Sequence, residues 1–197
     1  MRKLILKMSL SLDGFVAGAK GENDWVFLHR SAEAKAWVVR TISDAGVHIM
    51  GSRSYLGWAT YWPSSTDVFA APMNDIPKVV FSRSGVTPAL AEAMRAAPAT
   101  AAGASWAAAR VASGELRQEI ERLKQEPGKS IFAHGGATFA RSLAASGLVD
   151  EYHLAMHPVA LGQGMPLFAD LSKLLSFAVV ETETFASGVV ARILRPA

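Results

Sequence analysis

Residues 131–138 read Ile131-Phe132-Ala133-His134-Gly135-Gly136-Ala137-Thr138. An apolar run meets two glycines and passes straight into Thr138–Ser146, whose apolar residues recur at helical spacing and stop at Gly147, a candidate C-cap. Strand, tight turn and helix in immediate succession are a repeating unit of α/β folds. Two adjacent glycines remove both Cβ atoms, so backbone here can approach a phosphate closely, with the free N–H groups of the helix start beside it. A plain tight turn accounts for the same residues equally well, because the spacing is not GxGxxG.

The same grammar continues in both directions. Apolar, often β-branched runs bounded by turn residues predict strands at Lys3–Leu10, Val47–Met50, Lys78–Phe81, Lys129–Ala133, Glu151–His157, Phe177–Thr184 and Val189–Leu194. Helical spacing predicts helices at Ser31–Ala45, capped by Ser31 and ended by Gly46, and at Glu115–Gln125. Alternation of strand and helix predicts an α/β fold with helices on both faces of a mainly parallel sheet. The last two strands have no helix between them, which predicts an antiparallel C-terminal hairpin and a mixed sheet. Pro88–Ala112 holds thirteen alanines in twenty-five residues. A short helix at Ala89–Ala97 and a further strand at Trp106–Ala112 are the expectations there. No repeat or linker interrupts the chain, so one domain over residues 1–197 is expected.

Composition narrows the function. Of 197 residues half are hydrophobic, which is too many for a disordered chain and enough for a sizeable core. Cysteine is absent, which excludes disulfides, thiol catalysis and cysteine-held metals. The net charge of +3 is scattered, and fits a small anionic ligand better than a nucleic-acid backbone, which would want a dense basic stripe. No apolar run approaches the roughly 18 residues of a membrane span. The opening MRKLILKMSLSLDG is broken by Lys7 and followed by Asp13, so it reads as a strand and not a signal peptide, and a cytoplasmic location is the default. The five histidines show no metal-ligand spacing and no metal is expected; His153 and His157 share one side of a strand, as structural pairs commonly do.

Two further strand ends carry polar residues where parallel sheets bind ligands. Gly51-Ser52-Arg53-Ser54 follows the second strand, where hydroxyls, amides and a guanidinium can hold a diphosphate or simply cap a helix. Ser82-Arg83 follows the third, where arginine can fork onto a ribose phosphate or stand solvated in a loop.

With these residues in view the chain resembles the dihydrofolate reductase-like superfamily, in its branch related to the reductase domain of riboflavin biosynthesis, the RibD C-terminal domain. The resemblance rests on MSLSLDGFVAG, MGSRSY, KVVFSRS and the long block HGGATFARSLAASGLVDEYHLAMHPVALGQGMPLF. It covers nearly the whole chain and is weakest at residues 88–105. It implies a three-layer fold around a sheet of about eight strands. It also implies NADPH as hydride donor to a small heterocyclic substrate, a pyrimidine or pterin-like ring, as in reduction of 5-amino-6-(5-phosphoribosylamino)uracil. Carried over by position, Gly51, Ser52, Arg53 and Ser54 hold the cofactor phosphates, and Ser82 and Arg83 the adenosine end. Gly135, Gly136, Ala137 and Thr138 run along the diphosphate, with a cis peptide between the two glycines. Ser9, Val16 and Ala17 lie near the nicotinamide. Asp13 is the candidate proton donor or water-orienting group, though Asp-Gly also simply makes a turn. Trp25 is the candidate cap of the substrate pocket, though a lone tryptophan is commonly core. The resemblance implies a homodimer as well.

The chain departs from the pattern in three places. No carboxylate closely follows Trp25, where Val26-Phe27-Leu28-His29-Arg30 stands and Glu33 is the first acid, so pterin binding loses its usual partner. Ser52 replaces an arginine of many relatives, which moves any NADPH preference onto Arg53 and Arg83. No deaminase zinc motif occurs, so a reductase without the deaminase is expected. A non-catalytic nucleotide- or pterin-binding protein of the same fold is the alternative.

Overall fold

The computed structural model describes residues 1–29 and 31–197. Its strands are β1 (Leu4–Leu10), β2 (Phe15–Ala17), β3 (Ala45–Gly51), β4 (Lys78–Phe81), β5 (Arg110–Ala112), β6 (Ser130–Ala133), β7 (Glu151–Met156), β8 (Met165–Pro166), β9 (Phe177–Thr184) and β10 (Val190–Pro196). The α-helices are α1 (Ala32–Ser43), α2 (Ser52–Trp58), α3 (Ala70–Asp75), α4 (Pro88–Ala96), α5 (Ala101–Ala107), α6 (Leu116–Gln125) and α7 (Ala137–Ser146). Eight strands form one sheet in the order β5-β4-β3-β6-β1-β7-β10-β9. From β5 to β7 every pairing is parallel, and β10 and β9 close one edge as the expected antiparallel hairpin. A small antiparallel pair joins β2 to β8.

Strand alternation sends successive side chains to opposite faces. One face carries Leu4, Leu6, Met8 and Leu10 of β1 with Ile49, Ile131 and Leu154, and packs on Ile120 and Leu123 of α6 and Leu143 of α7. The other carries Ile5, Met50, Val80 and Phe132, and packs on Ile42 of α1, Tyr55 of α2, Met73 of α3 and Trp106 of α5. Burying both sheet faces between helices gives the three layers.

Most helix boundaries follow from capping. Ser31 Oγ accepts from the Ala34 N–H at 3.1 Å, and Gly147 ends α7 in the left-handed conformation at φ 69°. The expected stop at Gly46 is displaced: α1 ends at Ser43, and Gly46 already lies inside β3. The alanine-rich stretch also differs from expectation. Trp106 belongs to α5 and not to a strand, and only Arg110–Ala112 is extended. Thr100 Oγ1 caps that helix by accepting from Gly103 N–H at 3.2 Å. The indole of Trp106 is fully buried and donates to Asn74 Oδ1 at 2.8 Å, which anchors the helix on α3. Helix α4 starts one residue earlier than expected, at Pro88, capped by Thr87. No helix among the described residues is long and apolar enough to cross a membrane.

Candidate active site

The carboxyl ends of β3, β4, β6 and β1 lie side by side, as their registers Gly51↔Phe81, Ile49↔Ala133 and Leu6↔Ala133 show. That edge brings two of the glycine-bearing junctions into direct contact. The Gly51 N–H donates to the Gly135 carbonyl at 3.1 Å, and the Gly136 N–H donates to Ser54 Oγ at 2.8 Å. The peptide joining Gly135 to Gly136 is cis. Gly135 has φ 84°, and a Cβ there would lie 2.9 Å from Met8 Sδ. A Cβ on Gly51 would stand 3.2 Å from the Cβ of Phe139 in α7. Glycine at both positions lets the end of β3 and the start of α7 meet.

Side-chain caps divide the helices into two groups, and both helices that start at this edge fall, with α3 and α6, in the uncapped one. Ser31, Thr87 and Thr100 cap α1, α4 and α5 through their side chains, whereas α2 and α7 begin without a side-chain cap. Their first N–H groups and positive dipole ends face the edge unengaged by a capping side chain. Arg53 and Arg83 flank it, both exposed and without an ion pair among the described residues. Ser82 is buried, and its hydroxyl donates to the Gly85 carbonyl at 2.8 Å, closing its own turn. Thr138 is exposed at the start of α7, beside Ala137.

Next to this edge a cavity of about 610 Å³ opens between the sheet and α1. Ser9 and Val16 lie in its wall, as do Lys7, His134, His157, Trp58 and Trp62. Ala17 is buried in β2 and Trp25 is buried behind the wall, its ring edge-on to His157 with centroids 5.5 Å apart. Trp25 therefore supports a lining residue and does not itself form the wall. Asp13 stands apart from the cavity. Its carboxylate accepts from Ser11 Oγ at 2.5 Å, from Leu161 N–H at 3.0 Å and from Gly162 N–H at 2.7 Å. The Ser11 hydroxyl above all lowers its pKa, burial opposes it, and the Gly162 and Leu161 amides add to the lowering. That geometry suits a brace between two loops better than a proton donor.

The cavity wall is chemically unusual in ways the sequence reading passed over. Lys7 projects half-buried from β1 into the cavity wall, and desolvation lowers its ammonium to about 8. His157 is lowered to about 4, first by burial and then by the charges of Lys7 and His29. His134 is held well below the ordinary imidazole value, again by burial first, with His48, Lys7 and Lys78 adding repulsion. His134 Nε2 and His157 Nδ1 are buried without a hydrogen-bond partner, as is Trp62 Nε1. The available signal was parity: Lys7 interrupts an apolar strand at an inward position.

Fold and edge together define a three-layer α/β protein with a mainly parallel sheet whose strand ends border a cavity. The family model of the RibD C-terminal domain matches residues 2–191, and the chain belongs to that family. Among curated proteins it is 30% identical to YyaP of Bacillus subtilis, over 96% of this chain and 92% of the other, a protein described as uncharacterised. YwjB of the same organism, likewise uncharacterised, is 26% identical over 98% of both. A putative riboflavin biosynthesis protein from Shewanella superposes with a TM-score of 0.73 at 20% identity, over 99% of each chain. RibD of Acinetobacter baumannii gives 0.72 at 21% identity, and there this chain spans 58% of the other's length.

Proposed function

We propose that this protein is an NADPH-dependent oxidoreductase that reduces a small planar heterocycle in the cavity under α1. The observation that carries the reading is the junction of Gly51, Ser54, Gly135 and Gly136 beside two helix starts that no side chain caps, with the cavity opening next to it.

The residues present fit such a cofactor. Amides of α2 and α7, the hydroxyl of Ser52 and the guanidinium of Arg53 suit a diphosphate. Ser82 and Arg83 suit the adenosine ribose and its phosphate, and Arg83 is free for this among the described residues. Ala137 and Thr138 continue the diphosphate side. Ser9, Val16 and Ala17 border or back the wall where the ring end belongs. When bound, reduced nicotinamide supplies a hydride.

The chain's own part is to orient, to exclude water and to supply a proton. The aromatic wall of Trp37, Trp58, Trp62 and Phe69 orients a flat ring and keeps water sparse. Lys7 Nζ holds a proton at neutral pH and releases it at about 8, the range a proton donor to a reduced ring requires. Asp13 steadies the loops on either side, and Trp25 steadies His157.

Titration with NADPH, followed by quenching of tryptophan fluorescence, tests the reading. Saturation in the micromolar range, with NADPH oxidation on adding a suitable pyrimidine, pterin or quinone, is expected. Absence of saturation at high micromolar NADPH refutes it. Saturation without turnover on any of those rings leaves the binding-protein reading.

A further inference from the structure

We infer that the cavity under α1 selects a planar ring bearing an acidic group — a carboxylate, an enol or an acidic ring N–H — and that protons enter the surrounding bases when this ligand binds. The inference names the substrate class of the proposed reductase and relies on that reading only for where the substrate sits.

The first observation is a stripe of bases across one sheet face. Paired residues of parallel strands send their side chains to the same face. The registers His48↔Lys78, His48↔Phe132, Ile5↔Phe132 and Lys7↔His153 put Lys78, His48, Lys7 and His153 on the face that α1 covers. His134 falls two residues after Phe132 and His157 four after His153, so both join that face. The rings of His48 and His134 are 4.5 Å apart.

The second observation is where the acids are. Asp67 is the carboxylate among the described lining residues, and it is paired with Lys35 at 3.4 Å. Glu151 lies at the far end of the stripe. It is held by His153 at 2.7 Å, Arg195 at 2.9 Å and Lys3 at 3.6 Å. His29 and the Tyr61 phenol complete the titratable groups of the wall. Lys7, His134 and His157 thus share a desolvated space with no acid to balance them, and two of their ring nitrogens lack a partner.

Buried bases without counter-charge are held towards neutrality, since charging them costs solvation. An anion placed among them reverses that balance. It supplies the missing attraction and raises their proton affinity, so they take up protons as it binds. A cationic ring would add to the repulsion already present. The aromatic walls restrict the bearer of the charge to a flat frame.

Calorimetry on the full chain, without nucleotide, tests this with three probes of similar outline. These are 2-hydroxy-1,4-naphthoquinone, its 2-methoxy ether, and 1-methylquinolinium, compared at about pH 8.5 in buffers of different ionisation enthalpy. The hydroxy compound is expected to bind at least about tenfold tighter than the ether, and the quinolinium most weakly. Its binding heat is expected to report uptake of about half a proton or more. Lys7→Met brings the ratio of the two naphthoquinones near one and abolishes the proton uptake. Equal or tighter binding of the ether or the cation, no buffer dependence, or no heat from any probe overturns the inference. Each of these outcomes is independent of NADPH: a protein that keeps acid selectivity but never binds NADPH refutes the reductase reading and leaves this one standing.

Discussion

His48 offers the sharpest test of the energetics, because its ring is fully buried and lies outside the cavity wall. Its Nδ1 has no partner, and its Nε2 faces the Ile42 carbonyl at 3.4 Å, too far for a strong bond. Burial first, and the charge of Lys78 second, lower its pKa to about 3 against a small opposing effect of that carbonyl. The folded state therefore refuses a proton that the unfolded chain accepts below the ordinary value of 6.5. Stability contributed by the neutral ring is fully present above 6.5 and is lost as pH falls towards about 3, at about 1.4 kcal/mol per pH unit. Over the whole window the loss amounts to about 5 kcal/mol, a large share of a typical stability of 5–15 kcal/mol. His134, His153 and His157 are lowered too and act in the same direction, so the protein is expected to unfold cooperatively in mild acid. His48→Leu removes one of these protons while keeping the volume. Urea unfolding followed by tryptophan fluorescence at about pH 7 and about pH 4.5 gives the two stabilities. The variant should lose about 3 kcal/mol less than the parent between them, whatever its absolute stability. Parallel pH curves for the two proteins would refute the reasoning.

Gly103→Ala drives a Cβ into the Pro98 carbonyl oxygen, a backbone atom that cannot step aside. About 3 kcal/mol or more of destabilisation is expected, read as a fall in Tm of roughly 6–12 °C. Ser54→Ala leaves the buried side of the Gly136 N–H without its acceptor, at a cost of about 1–3 kcal/mol, and weakens NADPH binding, whereas Ser54→Thr restores it in part. Asp13→Asn keeps an acceptor for the Leu161 and Gly162 amides but removes the charge. It is expected to lower Tm slightly and leave the pH profile of turnover unmoved; a profile that loses its acid limb would return Asp13 to proton transfer.

Most strands of the large sheet, the C-terminal hairpin, the helix start at Ser31 and, within one residue, the one expected at Thr138 were legible because each depends on local signals: a short apolar run, a capping hydroxyl, a glycine after a strand. The glycine junction at the sheet edge was legible for the same reason, since Gly51 and Gly135-Gly136 punctuate strand ends. Trp106 was misread because an alanine-rich stretch has no hydrophobic contrast to display a period, and the bond that fixes α5 comes from Asn74, 32 residues away. The cavity's polar wall was missed on other grounds. Lys7 lies in β1, and His134 and His157 directly follow β6 and β7, which adjoin β1 only in the folded sheet; their unusual protonation is a property of shared burial that no single segment displays. Asp13 was overvalued because an acid after the first strand looks free until its loop meets residues 161 and 162.

The basic stripe joins stability to function in one set of side chains. All six of its members, Lys7, Lys78, His48, His134, His153 and His157, carry depressed values that make charging them costly in the free protein. For the lysines the sign follows as for the histidines: Lys78, lowered to about 7, and Lys7, to about 8, give stability that grows as pH rises from those values to 10.5. Lys78 offsets part of its cost with the Asn74 carbonyl at 3.3 Å, Ser105 Oγ at 2.6 Å and the face of Trp106 at 4.6 Å. Lys7 has no such set among the described residues, and of the two it is the one that borders the cavity. A core that satisfies one buried lysine internally and leaves the other facing an open space has placed its unspent attraction where a ligand can use it. Binding an anion there should therefore raise the unfolding temperature more at about pH 6 than at pH 8 to 9, because at the higher pH Lys7 must first take up the proton that the anion pairs with.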